Sequence, residues 1–236
     1  MSNKIDIIAY NGKLARIVHE SKKYCQANGI VLENGCDIEK YYHLESAAED
    51  IRKEIGIPRE EKIIISVAKD DPVKDIPSFI KAFSIIHKKH PETVAVMCGR
   101  GIVKENERYV KLCAESGLTI GTEVFPIGLR HDVARLLSGC DLYVLHSAGE
   151  AFPNTLIQAM ACEALCVTTD VGDAKRILDE PSLTARPQTP DDLAEKMDIA
   201  LSFTETEKRA KCQKNRKRVL DNYDIDNVVI NYERLY

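Results

Sequence analysis

The chain has no C-x-x-C pair, no apolar run of membrane-spanning length and no excess of basic charge, and each lack removes a class of protein. Its eight cysteines, at positions 25, 36, 98, 113, 140, 162, 166 and 212, mostly lie inside apolar runs. Cys98 follows Val-Ala-Val-Met, and Cys166 sits between Leu165 and Val167. That pattern fits reduced, buried thiols in a cytosolic protein, and neither a disulfide framework nor a zinc site. No stretch reaches the roughly 20 apolar residues of a membrane-spanning helix. The opening segment, MSNKIDIIAYNGK, has a short apolar core and no small-residue cleavage site. It does not read as a signal peptide, and the expected location is cytoplasmic. A formal net charge of −4 offers no global basic field for nucleic acid. No internal repeat or low-complexity tract is present.

What remains is an ordinary globular composition. The 236 residues are 44% hydrophobic and 30% charged, enough for a buried core under a soluble surface. Short β-branched runs alternate with segments of helical period. KIIISVA (62–68) reads as a buried strand, followed by Ile76, Phe79, Ile80, Phe83 and Ile86 at helical spacing, with Pro77 suited to a first turn. TVAVMC (93–98) is strand-like, and Tyr109, Leu112 and Cys113 share one face of a helix closed by Gly117. EVFPI (123–127), a helix over His131–Ser138 and DLYVL (141–145) continue the alternation. A helix over Pro153–Cys162 and the strand LCVTT (165–169) complete it.

Continuous rather than alternating hydrophobicity in these strands predicts a parallel sheet covered on both faces. The expected fold class is α/β, a Rossmann-like doubly wound domain over residues 33–205. Residues 1–32 hold two short strands (IDIIA and GIVLE) around one helix, too little for a sheet alone. They read as the remnant of a preceding domain, expected to be poorly ordered or packed on a partner. Residues 206–236 are expected to be helical, with Val229, Tyr232 and Tyr236 on one face. The Lys/Arg-rich stretch 206–221 reads chiefly as a solvated face, with contact to anionic lipid as the minority reading.

Ligands of open parallel sheets bind beyond the carboxyl ends of the strands. Polar residues and glycines collect there: Lys69, Asp70 and Lys74; Gly99-Arg100-Gly101; Gly128-Leu129-Arg130; His146 through Glu150; and Asp170 through Asp173. In Ser147–Met160, a small-residue loop with Glu150 runs into Pro153, suited to the first helical position. Amides from about Asn154 onward then lack intrahelical partners and, with the helix dipole, suit a phosphate. Thr155 could add a hydroxyl donor, Glu150 could accept from sugar hydroxyls, and Gln158 could meet a ribose. The same residues equally fit a buried helix with a solvated glutamate at its mouth.

The order of motifs resembles the C-terminal half of retaining GT-B glycosyltransferases of the group 1 type (family GT4). Carrying the resemblance are Asn34-Gly35-Cys36-Asp37, the pair Lys69 and Lys74, Gly99-Arg100-Gly101, Ser147 through Asn154, Gln158-Ala159-Met160-Ala161 and Thr169 through Asp173. It spans residues 34 to about 180, and the closing NYERLY is similar to the family's last helix.

The resemblance implies a donor-binding half that moves a sugar from a nucleotide diphosphate sugar to an acceptor, with no metal required. Lys69 and Lys74 then hold the diphosphate, and Glu150 contacts the donor sugar. Gln158 meets the ribose, and Gly128, Leu129 and Arg130 lie near the base. Gly99, Phe152, Pro153, Asn154 and Thr155 line the same donor site. For the lysines alone, the bland reading is two solvated charges in a loop. The acceptor side is implied to come from a separate subunit, from a longer chain or from a homo-oligomer.

Several positions depart from the family pattern. Gln158 stands where the family has a glutamate, which removes charge assistance worth roughly half the bond strength. Lys69 replaces an arginine, so a planar fork becomes a point charge. Asp75, Glu163 and Asp173 stand where glycines are common, and acids beside a diphosphate are unfavourable unless they point away. A non-catalytic nucleotide-sugar-binding or scaffold subunit is therefore the alternative. His146 replaces a common proline and reads as structural; His87 and His90 read as a solvated helix end.

Overall fold

The computed structural model describes residues 7–23 and 28–235. Cys25, the first residues of the IDIIA strand and Tyr236 lie outside the described residues. In chain order, β1 (Ile8–Tyr10), α1 (Lys13–Ser21) and β2 (Gly29–Val31) form a small βαβ unit whose two strands pair in parallel. This unit does not complete a full sheet. It docks on its own chain, because the carboxylate of Asp173 accepts from the Lys13 and Leu14 amides.

The main body runs α2 (Ala47–Ile55), β3 (Lys62–Val67), α3 (Ile76–Lys89), β4 (Thr93–Cys98), α4 (Glu107–Glu115), β5 (Val124–Pro126) and α5 (Val133–Ser138). It continues through β6 (Leu142–Leu145), α6 (Asn154–Ala161), β7 (Cys166–Thr169), α7 (Ala174–Leu178), β8 (Thr184–Ala185) and α8 (Pro190–Leu201). Strands β3–β8 make one parallel sheet in the order β5-β4-β3-β6-β7-β8. The doubly wound parallel sheet expected from the sequence is therefore present. Ile63, Ile64 and Ile65 in β3 are all buried, as are Val94 through Cys98 in β4. Consecutive apolar residues are buried here because helices cover both faces, so neither side of the pleat meets water.

Helix α3 begins where Asp75, in the left-handed region at φ 49°, accepts from Ser78 N–H, with Pro77 in the first turn. It lays Phe79, Ile80, Phe83 and Ile86 on the core and packs beside α8. On the other side α6 packs against α9 (Glu205–Asn222). A last helix, α10 (Ile225–Glu233), follows Tyr223, and Cys36 N–H donates back to Tyr223 O at 2.7 Å.

Three expectations need correcting. Pro153 lies outside α6 as its cap, with φ −83° and ψ 84°. Its ring sets a helix-compatible φ, but the extended ψ keeps it out of the first turn. Second, α9 is more than a solvated face. Arg216 donates to Ala161 O at the end of α6 and to Tyr41 O at 3.3 Å. Arg218 reaches Ile177 O and Arg176 O, both at 2.8 Å, at the end of α7. Cations at helix C-termini satisfy carbonyls that have no intrahelical partner and meet the negative end of the dipole. Third, the two-residue β8 and the helices α2, α7 and α8 were not expected from the pattern, since the shortest of these leave almost no periodicity to read.

Candidate functional site

The strand order reverses between β3 and β6, so the connections leaving their carboxyl ends diverge and open a crevice. Beyond β3, Asp71 accepts from Val73 N–H at 3.0 Å and starts a tight turn over Pro72–Lys74. Lys69 pairs with Asp71 at 2.7 Å. The turn aims Lys74 across the crevice at Glu150, with Nζ 2.5 Å from Oε1. The same carboxylate oxygen accepts from Ser147 Oγ at 2.7 Å. Ala148 N–H donates to Val73 O at 2.8 Å, and Thr169 Oγ1 donates to Ser147 O at 2.8 Å. These bonds tie the two loops to each other and to β7. Lys74 and Glu150 are 21% and 13% exposed, so a ligand can reach a pair already largely stripped of water.

His146 forms the floor of this crevice. It is buried, its ring stacks on Phe79 at 4.8 Å, and its Nε2 lies 2.6 Å from Ser66 Oγ. Burial lowers its pKa to about 4, so the imidazole is neutral at pH 7. The expected structural role fits this geometry. A small cavity beside it is lined by Lys74, His146, Ser147, Glu150 and Thr155 together with β3 and β6 residues.

The mouth of α6 is narrower than the sequence implied. Asn154 N–H donates to Phe152 O at 3.1 Å and Leu156 N–H to Pro153 O at 3.0 Å. Among the described residues this leaves the Thr155 amide as the first-turn donor without a protein partner. Pro153, lacking an N–H, supplies none. Tyr143 Oη donates to Thr155 Oγ1 at 2.8 Å, which frees the threonine hydroxyl hydrogen to point outward. Asn154 Oδ1 accepts from Asn34 Nδ2 at 2.9 Å, a contact that the Asn-Gly-Cys-Asp motif brings and the sequence did not announce. Phe152 differs from expectation, because its ring is buried edge-on against Tyr223 at 6.0 Å. Only its backbone borders the mouth. Gln158 is half-buried one turn down α6.

The glycine loops at the ends of β4 and β5 join each other. Gly99 N–H donates to Gly128 O at 2.8 Å and Gly128 N–H to Ile102 O at 2.7 Å. A Cβ on Gly99 would lie 1.9 Å from Ala68 O, so only glycine lets this loop press against the residue before Lys69. Leu129 projects outward at 62% exposure. The Arg130 guanidinium is held by Asp132, at 2.8 Å from both Nε and Nη2, and by Glu54. Arg135 reaches the same two acids. The pair of guanidiniums holds the Asp132 carboxyl well below the usual range. Arg130 therefore shapes the loop with its side chain.

The three acids that replace family glycines are all occupied elsewhere. Asp75 caps α3; Glu163 lies 3.7 Å from Arg216; Asp173 caps α1 and meets Arg176 at 3.1 Å. Asp75 and Glu163 adopt φ of 49° and 60°, the left-handed region for which glycine is the easy choice. The seven described cysteines are free thiols. Burial pushes Cys98 and Cys113 up to about 11 and Cys36 and Cys162 up to about 12, so none of these four is a thiolate near neutrality. Among the described residues no cluster of three or more His, Cys, Asp or Glu is set to hold a metal, and no helix is long and apolar enough to cross a membrane.

A parallel sheet of this strand order, wound by helices on both faces, is the C-terminal half of the GT-B architecture. The chain belongs to the family described as glycosyl transferases group 1, which residues 47–219 match. It is 26% identical over 201 residues to N-acetyl-alpha-D-glucosaminyl L-malate synthase of Bacillus anthracis, covering 84% of this chain and 51% of that protein. It is 25% identical over 212 residues to N,N'-diacetylbacillosaminyl-diphospho-undecaprenol alpha-1,3-N-acetylgalactosaminyltransferase of Campylobacter jejuni, covering 88% of this chain and 53% of that one. The chain thus spans about half the length of these relatives. Anabaena Alr3699/HepE, solved in complex with UDP-glucose, shares the fold at a TM-score of 0.88 and 19% identity, over 99% of this chain and 64% of that one.

Proposed function

We propose that this chain is the donor-binding half of a retaining glycosyltransferase, which takes a sugar from a nucleotide diphosphate sugar and passes it to an acceptor held by another domain. The observation that carries the proposal is the Lys74–Glu150 pair at 2.5 Å, set beside the open Thr155 amide and hydroxyl at the switch point. An ammonium has three donors, and Glu150 uses one of those on Lys74. The rest suit a diphosphate, while the carboxylate keeps capacity for sugar hydroxyls.

Breaking the glycosidic bond to phosphate builds negative charge on the leaving diphosphate. Lys69, Lys74 and the Thr155 N–H stabilise that charge where it grows, each donor contributing about 2.7–4 kcal/mol in the transition state. In this reading Lys69 and Lys74 lend positive charge to the leaving diphosphate in the place a metal would take. Gln158 meets the ribose, and the 128–130 backbone lies along the base. Relatives of which the matched region makes up only about half favour an acceptor domain carried by a longer chain or supplied in trans. Buried free thiols suit a reducing, cytoplasmic setting.

A second reading, a nucleotide-sugar-binding or scaffold subunit without transfer, is favoured by Gln158, which lacks the charge of the family's glutamate. Thermal denaturation in UDP, GDP, ADP and their sugars tests both. A ligand at about 100 times its Kd adds about 2.7 kcal/mol, which raises Tm by roughly 5–10 °C in a chain of this size. The shift is expected to collapse in Lys74→Ala. If no nucleotide moves Tm, both readings fall. If a donor binds but an added acceptor domain yields neither transfer nor hydrolysis, the scaffold reading stands.

A further inference from the structure

The carboxylate of Asp173 caps a helix 160 residues before it. Gly12, which precedes α1, has no side chain to accept from the first amides. Asp173 takes that part: Lys13 N–H donates to Oδ2 at 2.7 Å and Leu14 N–H to Oδ1 at 3.3 Å. Unpaired first-turn amides and the helix dipole both favour an acid there. Asp173 stands at the cap position of its own helix α7 yet makes no capping bond to it. Its side chain is 5% exposed and also accepts from Arg176 Nη2 at 3.1 Å. Arg176 reaches on to Glu33 Oε1 at 2.6 Å, just after β2, and to Tyr223 Oη at 3.3 Å.

The same seam touches the crevice. A Cβ on Gly12 would lie 2.9 Å from both Ala151 O and Asp173 Oδ2, and one on Gly172 would lie 2.6 Å from Glu150 O. The turn before α1, the loop carrying Glu150 and the turn at 172–173 are therefore packed backbone against backbone. Close packing leaves none of the three free to shift alone.

We propose that Asp173 and Arg176 form a clasp that couples the position of the β1–α1–β2 unit to the loop carrying Glu150. With the clasp made, α1 is held against residues 150–151; with it broken, both segments loosen together. The coupling rests on these contacts and holds whether or not the crevice takes a nucleotide sugar.

Amide hydrogen exchange on the whole chain tests it. Asp173→Ala should speed exchange about tenfold or more across residues 13–21 and, in step, across 148–152, leaving 62–67 and 93–98 unchanged. Gly12→Ala keeps the carboxylate and, at φ −161°, adds no backbone strain, but drives a methyl into the seam. It should loosen the same two segments from the opposite side, and it decides by the same criteria if Asp173→Ala does not fold. Faster exchange confined to 13–21 would make Asp173 a cap without coupling and overturn the proposal. So would no change in either segment, or a uniform rise that includes the central strands.

Discussion

Lys74 and Glu150 lie 76 positions apart in the chain and 2.5 Å apart in space, Nζ to Oε1. They follow β3 and β6, strands that are distant in sequence and adjacent in the sheet, with Ile64 beside Leu142. The reversal of strand order brings the two loops to one crevice, and Ser147 and Val73 fix their separation. Lys74→Ala should therefore weaken nucleoside diphosphate binding by about 10- to 100-fold, the 1.5–3 kcal/mol typical of a bond to a charged group. Glu150→Gln should spare the bare nucleotide and remove the extra affinity conferred by the sugar. Isothermal titration with UDP and a UDP-sugar separates the two, and equal losses for both variants would refute this division.

His146 makes stability depend on acid. Burial lowers its pKa from 6.5 to about 4, so the unfolded chain binds a proton that the folded chain refuses. Stability is complete above pH 6.5 and falls as pH drops toward 4, by about 3 kcal/mol at most. His146→Gln keeps a polar partner for Ser66 and should flatten this limb of a Tm-against-pH curve. An unchanged slope would assign the acid sensitivity to other groups.

Asp132 acts lower on the pH scale. Arg130 and Arg135 hold its carboxyl below the ordinary value, so its contribution is present above about pH 4 and lost as pH falls further. Asp132→Asn should remove that acid limb. It should also loosen residues 128–130, seen as faster amide exchange there.

Arg216 joins α9 to the end of α6 through Ala161 O and to the segment before α2 through Tyr41 O. Arg216→Ala leaves both acceptors in a half-buried setting and should cost about 1–3 kcal/mol. A lower urea midpoint with unchanged m-value would show it. Arg209→Ala, on the exposed side of the same helix, should change little.

Much of the fold was legible because buried parallel strands must be continuously apolar and their helices amphipathic. Ile63–Ile65 and Phe79, Ile80, Phe83 and Ile86 satisfy both conditions without reference to any distant residue. Where periodicity is short the signal fails, and β8, only two residues long, takes its identity from pairing with β7. The site was legible as a set of loops at strand ends, but its partners were not. Neither Tyr143 beside Thr155 nor Asn34 beside Asn154 is signalled by any spacing, and Phe152 sat in a binding motif yet turned inward.

The amino-acid order by itself determined the α/β class, the strand and helix succession, and the family to which the chain belongs, since these rest on local propensity and short motifs. Tertiary structure alone decided that Asp75, Glu163 and Asp173 find partners within the protein, that Lys74 meets Glu150, and that α9 uses its cations to finish other helices. Each of those outcomes is a charged side chain choosing among ionic and backbone partners brought close by the fold. Coulombic and hydrogen-bond energies at such distances depend on geometry that only the folded chain supplies.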